Sequence, residues 1–251
     1  MSFSSKHVLL LLGHGSSKHP ESSRSVRMHA DLLSQRGCFD EVYVAFLKEE
    51  PFIQDALALI DAEKITIVPD FLAEGYFTRH VIPRLLDLKS QPDTVRYCDP
   101  VGMHPRVVKW IEAAVNDMLG DWQPEDVTVL LAGHGSTKNA KSKETLLDHI
   151  KALREMTNFA QIHDLWLEEE PFVSQWKQVT AQKKVIVLPF LLSDGQHGGW
   201  DIPEMIGLEK GVEVHGVTHE IDGVELRISP ALGRSARFVE VIEAQAKSNT
   251  F

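Results

Sequence analysis

The chain has 251 residues, with 26 Lys and Arg against 36 Asp and Glu, and a formal net charge of −10. An acidic balance of this size argues against nucleic acid as a partner and makes any anionic substrate depend on a local basic patch. No apolar run reaches the roughly 18 residues of a membrane-spanning helix, and two distant cysteines cannot supply the four thiolates of an iron–sulfur cluster.

The pattern along the chain alternates between strand and helix signals. Val8–Leu12 is an apolar run of strand length, closed by Gly13, His14, Gly15 and Ser16. Ser22–Arg36 shows helical spacing, with Val26, Ala30 and Leu33 on one face. Glu41–Leu47 alternates as a strand, and Pro51 opens a helical stretch over Phe52–Ala62. A β-branched strand, Lys64–Pro69, precedes a helix over His80–Leu88. Thr94–Cys98 is a short strand and Pro105–Leu119 a helix.

The same order then returns. Strands are predicted at Val127–Leu131, Gln161–Leu167, Lys184–Leu188 and Leu226–Ser229, and helices at Ser142–Met156, Pro171–Ala181 and Arg234–Ala246. The return is literal. Gly13-His14-Gly15-Ser16 matches Gly133-His134-Gly135-Ser136, Glu49-Glu50-Pro51-Phe52 matches Glu169-Glu170-Pro171-Phe172, and Pro69 and Pro83 match Pro189 and Pro203, all at an offset of 120. Strand–helix alternation calls for parallel βαβ units. The expected fold is therefore α/β, with two similar doubly wound lobes of four parallel strands, residues 1–122 and 123–251. The stretch Glu204–Glu225 is longer than its counterpart and carries His215 and His219, and a loop or small hairpin is expected there.

In open parallel sheets ligands lie beyond the carboxyl ends of the strands. In the second copy that rim gathers His134, Glu170 and His197, with Glu168, Glu169 and Asp201 nearby. Two imidazoles and a carboxylate suit a borderline divalent ion such as Co²⁺, Ni²⁺, Fe²⁺ or Zn²⁺. The first copy offers His14, Glu50 and His80, but Phe77 stands at the position of His197 and cannot ligate a metal. Structural alternatives attach to several of these residues. Glu168 and Glu169 also suit the N-terminus of a helix, and His215 and His219 suit a solvent-facing loop. Ser16 and Ser136 suit helix caps or donors to an anionic ligand. Gly13 and Gly133 stand where a histidine phosphatase needs arginine. Neither a phosphate-binding loop with lysine nor a dinucleotide-binding glycine motif is present.

The combined pattern is similar to that of the class II tetrapyrrole chelatases, and within them to sirohydrochlorin chelatases of the CbiX, SirB and CbiK types. The residues that carry the resemblance are Gly133 to Ser136, Leu167 to Pro171, Pro189 to Leu192, Gly195, His197 and Asp201 to Pro203. It implies two lobes and insertion of Co²⁺, Fe²⁺ or Ni²⁺ into sirohydrochlorin or a related tetrapyrrole. On this resemblance His134, His197 and Glu170 are the metal-site and catalytic residues, with His14 a weaker ligand. Tyr76 and Phe77 would stack on the ring, Ser16 and Ser136 would donate to an anionic group of the substrate, and Lys138, Arg79, Lys48 and Lys18 would receive its carboxylates. No permanently bound cofactor, nucleic acid or membrane is expected. A cytoplasmic monomer or homodimer is. Two other readings stand beside this one: a non-catalytic metal or tetrapyrrole carrier, and a metal-dependent small-molecule hydrolase with a metal-bound water.

Overall fold

The computed structural model describes residues 6–18, 20–135, 140–193 and 201–248. The first copy contributes β1 (His7–Gly13), α1 (Arg24–Arg36), β2 (Glu41–Phe46), α2 (Ile53–Ala56), β3 (Lys64–Pro69), α3 (Ile82–Leu85), β4 (Val95–Tyr97) and α4 (Arg106–Leu119). The second contributes β5 (Val127–Gly133), α5 (Ala140–Met156), β6 (Gln161–Trp166), β7 (Lys184–Pro189), α6 (Ile202–Ile206), β8 (His219–Ile221), β9 (Val224–Ile228) and α7 (Val239–Lys247).

The first sheet has the order β2-β1-β3-β4, all parallel. The second has the order β6-β5-β7-β9-β8, in which β8 runs antiparallel to β9. The central strands β1 and β5 are apolar almost throughout because helices cover both of their faces. Val8 to Leu12 and Val127 to Ala132 are buried. In the first lobe Leu10, Leu12, Ile65 and Ile67 meet Ile53, Ile82 and Leu86 on one side of the sheet. In the second, Leu130, Val185 and Val187 meet Val173, Trp176 and Ile206.

The strand order reverses direction between β1 and β3, and again between β5 and β7. Such a switch point opens a crevice at the carboxyl ends of the strands, and His14 and His134 are the residues that follow β1 and β5 there.

The lobes are those expected, with four local differences. The second sheet carries a fifth strand, because the longer stretch folds as a β8–β9 hairpin around Asp222 and Gly223, both at positive φ. The helix expected over Phe52–Ala62 is one turn, Ile53–Ala56, with a 3₁₀ turn at Leu57–Leu59. Only Ile53 and Ala56 of this segment are buried, and Ile60 is already extended toward β3. Its counterpart over Pro171–Ala181 is a 3₁₀ helix, Val173–Gln178. The helix expected over His80–Leu88 begins earlier, as a π turn at Phe77–Val81, and ends at Leu85.

The sequence copies and the compact units differ at their ends. One unit holds residues up to His104 together with those from Ala236 onward, and the other holds Pro105–Ser235. The last helix of each copy therefore belongs to the unit built from the other copy. An arginine holds each helix at its C-terminus, where backbone carbonyls lack intrahelical partners and the dipole favours a cation. Arg227 on β9 donates through Nη1 to the carbonyls of Met118 (2.8 Å) and Leu119 (2.7 Å) at the end of α4. Its Nε donates to Thr218 Oγ1 at 2.8 Å, and its guanidinium lies 3.8 Å from the Trp122 ring centroid. Arg96 on β4 donates to the carbonyl of Ala246 near the end of α7, and to Thr66 Oγ1 at 3.2 Å. Arg96 pairs with Thr66 and Arg227 with Ile186, so the two arginines occupy the same rung of their sheets.

Replacing Arg227 with Leu removes charge-assisted bonds to two helix-end carbonyls and the contact with Trp122. The expected loss is about 2–3 kcal/mol of unfolding free energy, read by urea denaturation. Arg227→Lys restores only part of it, since an ammonium has neither the Nε donor that meets Thr218 nor the planar face that lies on Trp122.

Candidate functional site

In the second lobe the chain leaves β5 at Gly133 and turns at once. Gly133 permits this closeness, since a Cβ there would lie 2.5 Å from the Trp166 ring. Gly135 takes φ +77, and a Cβ on it would lie 3.1 Å from Glu169. The turn is tied to the end of β6 by two backbone bonds, from Leu167 N–H to the Gly133 carbonyl (3.1 Å) and from Glu168 N–H to the His134 carbonyl (3.1 Å). His134 Nδ1 lies 3.1 Å from the Gly135 carbonyl. A carbonyl only accepts, so this contact fixes the ring proton on Nδ1 and leaves the Nε2 lone pair unprotonated in the neutral ring. The Glu168 carboxylate stands 3.8 Å from the same Nδ1. Glu169 points inward beneath the turn, where Lys143 from α5 pairs with it at 3.1 Å and also donates to the Glu170 carbonyl at 3.2 Å. Glu170 is exposed and precedes Pro171 through a cis peptide bond.

The first lobe repeats this frame with other side chains. Leu47 N–H donates to the Gly13 carbonyl (3.2 Å) and Lys48 N–H to the His14 carbonyl (3.0 Å). Gly15 takes φ +64, and His14 Nδ1 lies 2.9 Å from its carbonyl. Glu49 fills the space beneath the turn as Glu169 does. It accepts from the Ser16 N–H and from Arg27 Nη2, each at 2.9 Å. Burial opposes its charge, but hydrogen bonds from Ser23, Ser16 and Arg27 outweigh that and hold the carboxyl below its ordinary value. The segment after β3 brings Phe77 against His14, with ring centroids 5.3 Å apart at 82°. Tyr76 leans on Phe77 and on His80, at 6.1 and 5.6 Å.

The CbiX family model matches residues 8–118 and 128–249, so nearly the whole chain is covered by two copies of it. The chain belongs to the CbiX family. A relative in Halobacterium salinarum, named "Probable sirohydrochlorin cobaltochelatase", is 33% identical over 220 residues, spanning 78% of this chain and 75% of that one. A sirohydrochlorin ferrochelatase of Priestia megaterium is 27% identical over 201 residues, spanning 75% and 74%. The crystal structure of a multi-domain protein from Deinococcus radiodurans, described as structurally similar to chelatases with two additional domains, superposes with a TM-score of 0.82 at 28% identity. It covers 99% of this chain, and this chain spans 56% of it.

Across the CbiX repeat the structure sorts the residues expected at the site. It brings Glu168, two positions before Glu170, to His134. The cause is the alternation after β6, which turns Glu169 inward and leaves Glu168 and Glu170 exposed, with Glu168 beside the imidazole. Ser16 donates its N–H to Glu49, and its hydroxyl accepts from Lys18 N–H at 3.2 Å, so it closes the turn itself. Arg79 pairs with Glu74. His197, Ser136 and Lys138 lie outside the described residues. Among the described residues no group of three His, Cys, Asp or Glu side chains is arranged to hold a metal. His215 and His219 contact the backbone carbonyls of Ile228 (3.2 Å) and Val214 (3.3 Å), which ties down the hairpin segment.

Sequence reasoning missed a buried pair in the first lobe. His29 of α1 and Asp70, which follows β3, are fully buried, with Nδ1 and Oδ2 2.7 Å apart. The offset of 120 shows the pair to be asymmetric, because His149 faces Phe190 where His29 faces Asp70.

Glu49 gives a pH test of the glycine turn. Its folded-state carboxyl is depressed, so its contribution is complete above the ordinary glutamate value of about 4.3 and fades as pH falls through the lower folded value. Glu49→Gln should melt below wild type at pH 7, and the gap should close as the solution is taken below about pH 4. A gap that widens in acid would contradict this origin.

Proposed function

We propose that the chain inserts a divalent metal, cobalt or iron, into sirohydrochlorin or a related tetrapyrrole, with the ion held at the carboxyl rim of the second sheet. The observation that carries this reading is His134. It follows β5 at the switch point, its Nδ1 is engaged by the Gly135 carbonyl, and the Glu168 carboxylate stands beside it. His197 is proposed as the second imidazole. The support is its equivalent in the first copy: Phe77, 120 positions earlier, lies directly against His14.

Insertion replaces two pyrrole protons with one M²⁺, so the site must hold an ion loosely and accept protons near neutral pH. Imidazole suits both tasks. A mixed nitrogen and oxygen site with an open position releases its ion more readily than a closed thiolate cage. The metal enters as a substrate, and no resident cofactor is part of the reading. The donor set suits cobalt, iron and nickel alike, and the relatives cited above include both a probable cobaltochelatase and a ferrochelatase. Ser136 and Lys138, on the same rim by sequence, are proposed to meet substrate carboxylates. The setting proposed is the cytoplasm, as a monomer or homodimer without nucleic-acid or membrane partners. No helix among the described residues is long and apolar enough to cross a membrane.

An anaerobic absorbance assay with sirohydrochlorin and Co²⁺ tests the assignment. His134→Ala and His197→Ala should each lower the insertion rate by about 10²-fold or more while melting as wild type does. Glu168→Gln should fall with them, and Glu170→Gln should stay within a few-fold of wild type. Loss in Glu170→Gln with Glu168→Gln intact would return the carboxylate role to Glu170. Full activity in both histidine variants would end the reading.

A further inference from the structure

Helices α1 and α5 follow the glycine turns in the same register. Val26, His29 and Leu33 are buried in the first lobe, and their counterparts 120 positions on, Leu146, His149 and Leu153, are buried in the second. The cation of each helix departs from that register. Arg27 of α1 corresponds to Leu147, which is exposed, and Lys143 of α5 corresponds to Ser23. The lysine therefore sits four residues earlier in its helix than the arginine does. Residues i and i+4 lie on one face of a helix, so both cations reach the same side.

Both make the same three contacts. Arg27 Nη2 donates to Glu49 Oε1 at 2.9 Å and to the Glu50 carbonyl at 3.0 Å, and its guanidinium lies 4.7 Å from the Phe46 ring centroid. Lys143 Nζ donates to Glu169 Oε2 at 3.1 Å and to the Glu170 carbonyl at 3.2 Å, and lies 5.3 Å from the Trp166 ring centroid. A set of contacts filled from either of two helix positions answers a need of the loop and not of the helix. Glu168, Glu169 and Glu170 set three like charges in succession, and Glu169 is turned beneath Gly135 with 22% of its side chain exposed. A carboxylate partly withdrawn from water needs a cation or donors beside it. Lys143 supplies the cation and, through the Glu170 carbonyl, fastens the backbone one residue further on. Glu168 is tied from the other side, by its N–H to the His134 carbonyl at 3.1 Å. Its carboxylate thus projects from a segment held at both ends.

We infer that Lys143 is a positioning residue for the metal site of the second lobe. Its ammonium holds Glu169 and the Glu170 carbonyl in place, so that the Glu168 carboxylate stays beside the His134 imidazole. The inference rests on the metal-insertion reading and adds to it a residue that acts through the loop.

The test uses the full chain. Lys143→Ser removes the ammonium, and Lys143→Ser with Leu147→Arg installs the first lobe's arrangement in the second. Hydrogen–deuterium exchange of residues 167–170 reads the loop, anaerobic insertion of Co²⁺ into sirohydrochlorin reads the site, and circular dichroism checks that each variant folds. Lys143→Ser should speed exchange about tenfold. It should also raise the apparent KM for Co²⁺ about tenfold, with kcat and the KM for sirohydrochlorin within about twofold of wild type. The double variant should restore both the exchange rate and the cobalt KM. Faster exchange with an unchanged cobalt KM overturns the inference, since Lys143 then only steadies the loop. An unchanged exchange rate in Lys143→Ser overturns it too, as does a double variant that regains wild-type exchange but not the cobalt KM. His134→Ala, assayed beside them, separates the two readings. If it is inactive while Lys143→Ser is fully active, the positioning role alone is removed; if it is active, the metal site is removed and the positioning role with it.

Discussion

The burial of one strand on both faces sets the terms for each lobe. β1 and β5 lie inside their sheets with helices on either side, so their side chains are apolar and their polar chemistry is pushed to the ends. At the carboxyl end the chain must leave the sheet within two residues, pressed against Phe46 in one lobe and Trp166 in the other. Glycine meets that demand, and the histidine between two glycines is held where the strand order reverses. The position of the imidazole is thus a consequence of how the core is closed, and what it does depends on the two loops that flank it.

The duplication made the fold legible. Matched motifs at one offset predicted two parallel lobes, and strand boundaries fell within a residue or two because β-branched runs ending in Gly or Pro leave little choice. The second helix of each copy was read too long. Its apolar letters suggested two or three turns, but only one turn reaches the core before the chain extends toward the next strand. The exchanged helices were not legible at all. Their amphipathic pattern states that they cover a sheet and is silent on which one. Nor did periodicity show the strand β8, whose three residues pair because of the tight turn at Asp222 and Gly223.

At the glycine turns, His14 and His134 could be placed from the repeat, while the carboxylate beside His134 could not. Three consecutive glutamates look alike in sequence, and only the alternation at the end of β6 separates the one held by Lys143 from the one beside the imidazole. The offset supplied one comparison, Phe77 against His197, and held a second that went unused. Lys48 against Glu168 is a reversal of charge at a shared position, and Phe77 against His197 is the loss of a donor at another. Together they set the side chains around the first turn apart from those around the second. The turn itself is supported in both copies by an inward glutamate and a cation, Arg27 over the Phe46 ring or Lys143 over the Trp166 ring. The scaffold of the turn is thus alike in the two copies, while the side chains that flank it differ.

The exchange of terminal helices bears on how the protein is made. A ribosome delivers the first copy before the second, yet the compact unit that holds β1 to β4 also includes α7, whose Ala246 carbonyl receives Arg96. The lobe that begins to form first is therefore the last to be finished. Until the final segment emerges, the face of β3 that α7 covers stays open, and α4, already synthesised, waits for a sheet not yet translated. A chain halted midway leaves two unmatched apolar surfaces on one nascent polypeptide, so the period between translation of the copies is when this protein most needs protection from aggregation.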